Sequence, residues 1–372
     1  MDNEKIDKMR LTSPVFFLGA NSSKGFKSCF HNACDVDKGE RLYVIKGGPG
    51  TGKSTLIKKV IEKVCENGDE VEIIPCSTDL NSLDGAVFPN LGVAIIDGTS
   101  PHIVEPKYFG VFERIVPLTE FLNNDVLEKN SKEIISLCKN NTVLHKKASG
   151  LICGAVELLD DNFSLDCACV NYRDVSYAAK CTAELLLDKN KGEKGKEKVR
   201  FLSGITGEGG VYFYNTVKYY ANKIVAIEDK LGGVSSVFMS VIRDYALTNG
   251  YDIITCPCAL FPDRKIDHII IPSKSLAFCT VNTSLGADEK YANIIHSNRF
   301  RNIELLNGFK ERISFNFKAS KELLSSASSL IKDAKNVHDL LEEKYISAMD
   351  FEGVKYYANK IVNEILEKQK IA

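Results

Sequence analysis

Residues 47 to 55 read Gly-Gly-Pro-Gly-Thr-Gly-Lys-Ser-Thr, which satisfies G-x-x-x-x-G-K-[ST] with Gly47, Gly52, Lys53 and Ser54. The chemistry of that spacing is phosphate binding. Glycines let successive backbone N–H groups turn toward one anion, and a helix starting at the end of the loop adds the positive end of its dipole. Lys53 is then placed for the terminal phosphates, the Ser54 hydroxyl for Mg2+, and Thr55 for the first phosphate. The nucleotide-binding set is therefore read as Gly47, Gly48, Pro49, Gly50, Thr51, Gly52, Lys53, Ser54 and Thr55. Asp97 closes the apolar run Val-Ala-Ile-Ile and is read as the second Mg2+ ligand, acting through the metal's water shell. The plainer account of Asp97 is a carboxylate capping the turn Asp-Gly-Thr-Ser-Pro.

Other groups could take part in a reaction. Asp79 and Asp84 lie in CSTDLNSLDG, and His102 and Glu105 follow Asp97 in DGTSPHIVEP; each is a candidate acid or base. Gly98 stands directly after Asp97, where many ATPases carry a water-polarising Glu, so rapid unaided hydrolysis is not expected. Lys24, in the turn NSSKGF, could approach a phosphate, and Arg41, Arg114 and Arg173 are candidate arginine fingers. No N-K-x-D occurs, which disfavours guanine readout and leaves an adenine nucleotide, ATP, as the expected ligand. LSGITGEGG resembles a transporter signature only superficially, because it aligns with LGANSSKGF.

The elements that must position these groups follow from periodicity. RLYVIK is a predicted strand, and KSTLIKKVIEKVCEN is a predicted helix with Leu56, Val60, Ile61 and Val64 on one face. VEIIP and VAIID are predicted strands of a parallel sheet covered on both faces, and the pattern is helical from about 118 to 187. The chain is also written twice, in units of about 180 residues. NGDEVEIIPC matches NGYDIITCPC, LDGAVFPNLGVAIID matches IDHIIIPSKSLAFCT, and GTGKSTLIKKVI matches GGVSSVFMSVI. In the second copy Val234 falls on Lys53, Thr280 on Asp97, Glu228 on the first loop glycine and Glu208 on Lys24, whereas Gly233 and Ser235 persist. Lys230 is the residue that could replace the lost cation from another direction. Asp267 falls on Asp84, which suggests a structural role for that acid in both copies.

The expected fold class is α/β: two tandem P-loop NTPase-like three-layer α/β/α units with parallel sheets, each followed by a helical subdomain. The first unit spans 14–187 (core about 14–117, helices about 118–187). Residues 188–198 form a charged linker, and 199–372 form a degenerate repeat with C-terminal helices. A net charge of −1 over 372 residues provides no global attraction for nucleic acid or anionic membrane, and no basic aromatic stripe suggests a nucleic-acid motor. The N-terminal run VFFL is too short for a signal sequence and no apolar stretch could span a bilayer, so a cytoplasmic protein is expected. Its twelve cysteines, mostly in apolar runs, read as reduced thiols; Cys29, His31 and Cys34 are the one cluster with metal-ligand character.

Taken together, KGGPGTGKSTL, CSTDLNSLDG, FPNLGVAIIDGTSPH and the degenerate second copy resemble a bacterial family of two-repeat P-loop proteins described as ATPases or nucleotide-kinase-like. The resemblance covers nearly the whole chain and implies ATP binding without implying a substrate. Members are expected to bear the loop in both copies, so Val234 is a departure. Three activities follow as expectations: slow Mg-dependent ATP hydrolysis by the first repeat with a regulatory or structural second one, phosphoryl transfer to an unidentified small acceptor, or nucleotide sensing that recruits a protein partner.

Overall fold

The computed structural model describes residues 3–189, 192–281 and 291–369. Helix α1 (Asn3–Thr12) precedes a hairpin of β1 (Gly19–Ser22) and β2 (Gly25–Ser28). Then come β3 (Arg41–Lys46), α2 (Lys53–Cys65), β4 (Glu72–Pro75), β5 (Leu83–Phe88), β6 (Val93–Asp97) and β7 (Glu113–Pro117), followed by α3 (Asn124–Lys129), α4 (Ser131–Cys167) and α5 (Tyr172–Leu186). The second pass runs β8 (Glu197–Val199), the hairpin β9 (Ser203–Thr206) and β10 (Gly209–Tyr212), α6 (Tyr214–Tyr220), β11 (Lys223–Glu228) and α7 (Gly233–Thr248). It ends with β12 (Ile253–Pro257), β13 (Ile266–Ile271), β14 (Leu276–Val281), β15 (Asn293–His296), α8 (Ile303–Asn307), α9 (Lys310–Ile346) and α10 (Phe351–Gln369). Among the described residues no helix is long and apolar enough to cross a membrane.

The fold is α/β with mixed sheets. One sheet has the order β4-β5-β6-β3-β7, and the other β15-β11-β14-β13-β12-β8; apart from the added edge strand β8, the two orders are the same. The duplication visible in the sequence is thus repeated in the strand order. The expectation of parallel sheets is corrected: β3 pairs parallel with β6 and β7, but β5 runs antiparallel to both β4 and β6, as β13 does to β12 and β14. The cause is local. Pro89–Leu91 forms a tight turn closed by Gly92 at φ 56°, so LDGAVF and VAIID make a hairpin instead of a crossover.

By its contacts the chain forms two compact units. Unit 1 comprises the chain up to Gly19, Ser28–Lys147, and the chain from Ser329 on; unit 2 comprises Ala20–Lys27 and Ala148–Ser328. These differ from the expected halves, because each long helix is divided between the units. In unit 1, α10 packs on α2, whose stripe Leu56, Ile57, Val60, Ile61 and Val64 is fully buried. The start of α4 pairs there with the end of α9 through Glu133–Lys344 (2.9 Å) and Asn141 Nδ2 to the Ala334 carbonyl (2.8 Å). In unit 2, α5 packs on α7, and the core gathers Val175, Ala179, Phe238, Ile242, Ile269 and Phe278. Residues 190–191 of the expected linker lie outside the described residues. Its end is structured: Glu197 begins β8 beside β12 and accepts from Arg243 Nε and Thr255 Oγ1, both at 2.6 Å.

Candidate functional site

In unit 1, β3 delivers the chain at Lys46 and α2 resumes it at Lys53, with Gly52 as N-cap at φ 89° and no side-chain cap. The first N–H groups of α2 therefore have no built-in side-chain acceptor at the cap, and the helix dipole is open to an anion. Gly50 has φ 65°, and a Cβ on it would lie 2.7 Å from the Glu342 carbonyl oxygen, so neither conformation nor space admits another residue. The Thr51 hydroxyl is buried and donates to the Gly48 carbonyl (2.9 Å). Lys53 Nζ folds back over this loop, donating to the carbonyls of Gly47 (3.1 Å) and Gly48 (2.7 Å) and lying 3.7 Å from Asp97 Oδ2. The strand register explains the approach, because Asp97 pairs with Ile45 at the ends of β6 and β3.

Asp97 uses Oδ1 to accept from the Thr99 N–H (2.8 Å) and hydroxyl (2.5 Å), so the turn-capping account holds for one oxygen while the other faces Lys53. Ser54 Oγ accepts from the Leu83 N–H at 2.9 Å, which anchors α2 to β5 and leaves the hydroxyl a second lone pair. Ser54 Oγ and Asp97 Oδ2 are oxygen donors of the hard kind that Mg2+ takes, and they are the two side chains that would hold it beside water and phosphate oxygens. No cluster of three or more His, Cys, Asp or Glu able to hold a metal occurs among the described residues; Cys29, His31 and Cys34 make none. None of the twelve cysteines, all among the described residues, forms a disulfide. Gly98 has a steric reason: a Cβ there would lie 2.2 Å from Val44 Cγ1, and Val44 is completely buried. A glutamate after Asp97 has no room.

Two further candidates are brought together. The pairing of Gly85 with Ile96 sets Asp84 level with Asp97 on the adjacent strand, and side chains level across an antiparallel pair share a face. His102 Nε2 lies 3.2 Å from Asp84 Oδ2, and its ring stacks on Phe30 at 4.5 Å between centroids. Burial pushes the imidazole pKa down, but the charges of Asp84 and, secondarily, Asp97 outweigh it and leave the value raised. A raised histidine contributes stability that is fully present below its unfolded pKa and is lost as pH rises through the folded one. Thermal unfolding of His102→Gln should therefore lose the part of the wild-type decline that begins above about pH 6.5; an unchanged profile would refute the Asp84 pairing.

Other candidates stand elsewhere. Asp79 caps Asn81 N–H (3.0 Å) and faces Lys335 at 3.8 Å. Glu105 holds Lys46 (3.0 Å), Arg114 is paired with Glu364, and in unit 2 Lys24 and Lys27 both face Asp263. The end of α9 and the start of α10 supply a wall that no motif or periodicity signals. Glu342 Oε1 accepts from Gly50 N–H at 3.3 Å, and Cβ atoms built on Gly48 and Gly52 would meet Tyr345 at 2.8 Å and Val354 at 3.7 Å. Glu342 is held in its charged form mainly by His338, 3.4 Å away.

Unit 2 shows what became of the copied loop. Glu228 is the last residue of β11, the counterpart of Lys46, so the first loop position is Asp229 and not Glu228. The connection Asp229–Gly232 is shorter than Gly47–Gly52, and Val234 lies in the hydrophobic core. Asp229 accepts from Gly232 N–H (3.0 Å) and Ser235 N–H (2.7 Å), and Asp166 of α4 accepts from Gly233 N–H (2.9 Å). Arg301 bridges both acids, with Nε and a terminal nitrogen on Asp166 at 2.5 and 2.7 Å and the latter also on Asp229. The two carboxylates are wholly buried and Arg301 is 3% exposed. The N–H groups that could cradle an anion are thus occupied by the chain's own carboxylates. Lys230 does not replace the cation there, since its ammonium stands over the Phe317 ring at 4.3 Å. Thr280 pairs with Ile227 as Asp97 does with Ile45, which confirms that the acid at this position is lost. No family model, curated protein or solved structure matches the chain.

Proposed function

We propose that unit 1 binds MgATP at the Gly47–Thr55 loop and hydrolyses it slowly, while unit 2 serves as a structural or regulatory copy that binds no triphosphate. The observation that carries this reading is Lys53 suspended between the loop carbonyls and the Asp97 carboxylate, at the uncapped start of α2. Phosphate oxygens would take the ammonium from those carbonyls, and Mg2+ would sit between Ser54 and Asp97. This reading agrees with the resemblance to two-repeat P-loop ATPases and with a P-loop NTPase-like fold for unit 1. The lack of room for a glutamate at Gly98 accounts for slow turnover.

Phosphoryl transfer to a small acceptor is the second reading, and the His102–Asp84 pair beside Asp97 favours it, because such a pair could take a proton from an acceptor hydroxyl. The fate of γ-labelled ATP with excess protein and Mg2+ separates the two. Released phosphate that disappears in Lys53→Ala supports hydrolysis. Bound but intact ATP would overturn hydrolysis, and label passed to a metabolite extract would then establish a kinase, whereas none would leave a nucleotide sensor.

Glu342 bears on affinity in either reading. A carboxylate on the Gly50 N–H competes with phosphate for the same donor and adds like charge beside it. Glu342→Gln should tighten MgATP binding by about 3–10-fold, measured by calorimetric titration. Unchanged or weaker binding would show that this carboxylate does not oppose the nucleotide.

A further inference from the structure

We propose that unit 2 carries a ligand site of its own, a cleft for an aromatic monoanion beside its carboxylate-filled helix start. The cleft is small and partly open to solvent, so a ligand would lie across its mouth instead of being enclosed, which limits it to one compact ring system with an acidic group. It is walled by Phe163 of α4, Phe317 of α9 and Phe261 in the β12–β13 connection, with Lys230 and Arg264 at the edge. The rings are apolar surface for a ligand ring to pack on, those of Phe317 and Phe163 once Lys230 and Arg264 move off them. The charges set the sign. Lys265 and Asp267 form a buried pair at 3.0 Å and cancel, and Arg264 shares Asp160. Lys230 has no carboxylate partner among the described residues; it rests on Phe317, as Arg264 rests on Phe163 at 5.2 Å. One positive charge is therefore left for the ligand, and it sits on an exposed side chain able to swing onto a carboxylate or phosphate.

The site is unsuited to MgATP. The N–H groups at the start of α7 are taken by Asp229 and Asp166, and Thr280 replaces the metal-binding acid. Cys258 at the wall is no nucleophile, because burial pushes its thiol up to about 12.

The test titrates the full chain with 2-naphthoate, whose emission is read without interference because the protein has no Trp. The expected result is saturable binding at one site per chain, weakened at least about tenfold in Lys230→Glu and in Lys230→Gln, and unaffected by Lys53→Ala or by MgATP. 1-Naphthyl phosphate, close to a dianion at neutral pH, runs in a parallel arm: naphthoate binding in this pattern supports the site, and tighter binding of the phosphate would overturn the single-charge assignment. Equal affinity for uncharged 2-naphthol would overturn the anionic assignment. Displacement by MgATP, or loss of binding in Lys53→Ala alone, would place the probe at the unit 1 loop and overturn the proposal, whereas failure of MgATP to bind anywhere leaves it standing. No saturable binding of either naphthyl anion also refutes it.

Discussion

Lys53→Ala is expected to lower MgATP turnover by at least about 100-fold and to leave the fold intact. Lys53 is the first residue of α2, and the present partners of its ammonium are two loop carbonyls and one carboxylate at 3.7 Å. In the nucleotide complex it would move from those carbonyls to the terminal phosphate oxygens, where developing negative charge makes a fixed cation most effective. Little stability depends on it. The loop's shape is set by Gly50, Gly52 and the Thr51–Gly48 hydrogen bond, none of which involves the lysine side chain. Steady-state phosphate release measured beside thermal unfolding checks both halves. A variant that turns over at the wild-type rate sinks the assignment of the site, and one that unfolds early shows the lysine to be structural. Lys230→Ala makes the comparison sharper: it alters the corresponding loop of unit 2 and should leave turnover unchanged.

The loop, the strand-end acid and the duplication were legible because each is written in consecutive residues or in a fixed offset. Glycine spacing between a β-branched run and an amphipathic helix specifies the Gly47–Thr55 turn locally, and the sheet register then carries Asp97 to Lys53. The direction of β5 was not read, although Pro89 to Gly92 carried the signal for a hairpin; a six-residue apolar run fits a parallel or an antiparallel strand equally well. The pairing of His102 with Asp84 needed the β5–β6 register and so fell with it. Glu342 and Gly50 are 292 residues apart, and no periodicity relates a helix end to a loop at that distance. The same holds for Asp166 and Arg301, 135 residues apart. Alignment of the repeats showed the loss of Lys53 and Asp97 in the second copy, but not that Asp229 and Asp166 accept from the N–H groups at the start of α7.

Arg301→Ala is expected to destabilise the protein by about 3–5 kcal/mol, the largest stability effect of any single substitution considered. Removing the guanidinium leaves Asp166 and Asp229 facing each other with no cation between them, both at zero exposure. Burial pushes the Asp166 carboxyl up despite Arg301, whereas at Asp229 the guanidinium and the Ser235 and Gly232 N–H groups overcome burial and hold it down. Without Arg301 at least one acid must fold protonated, so the loss should be greatest at neutral pH and smaller in acid. Arg301→Lys should recover only part of the loss, since one ammonium cannot reproduce the two-point contact with Asp166 while reaching Asp229. Adding Asp166→Asn to Arg301→Ala should restore stability relative to the single variant, because it removes one of the stranded charges and keeps an oxygen for the Gly233 N–H. Urea unfolding at neutral and mildly acidic pH measures all of these. A cost below about 1 kcal/mol for Arg301→Ala, the scale of an exposed ion pair, would mean that the carboxylates do not depend on Arg301 to occupy the start of α7.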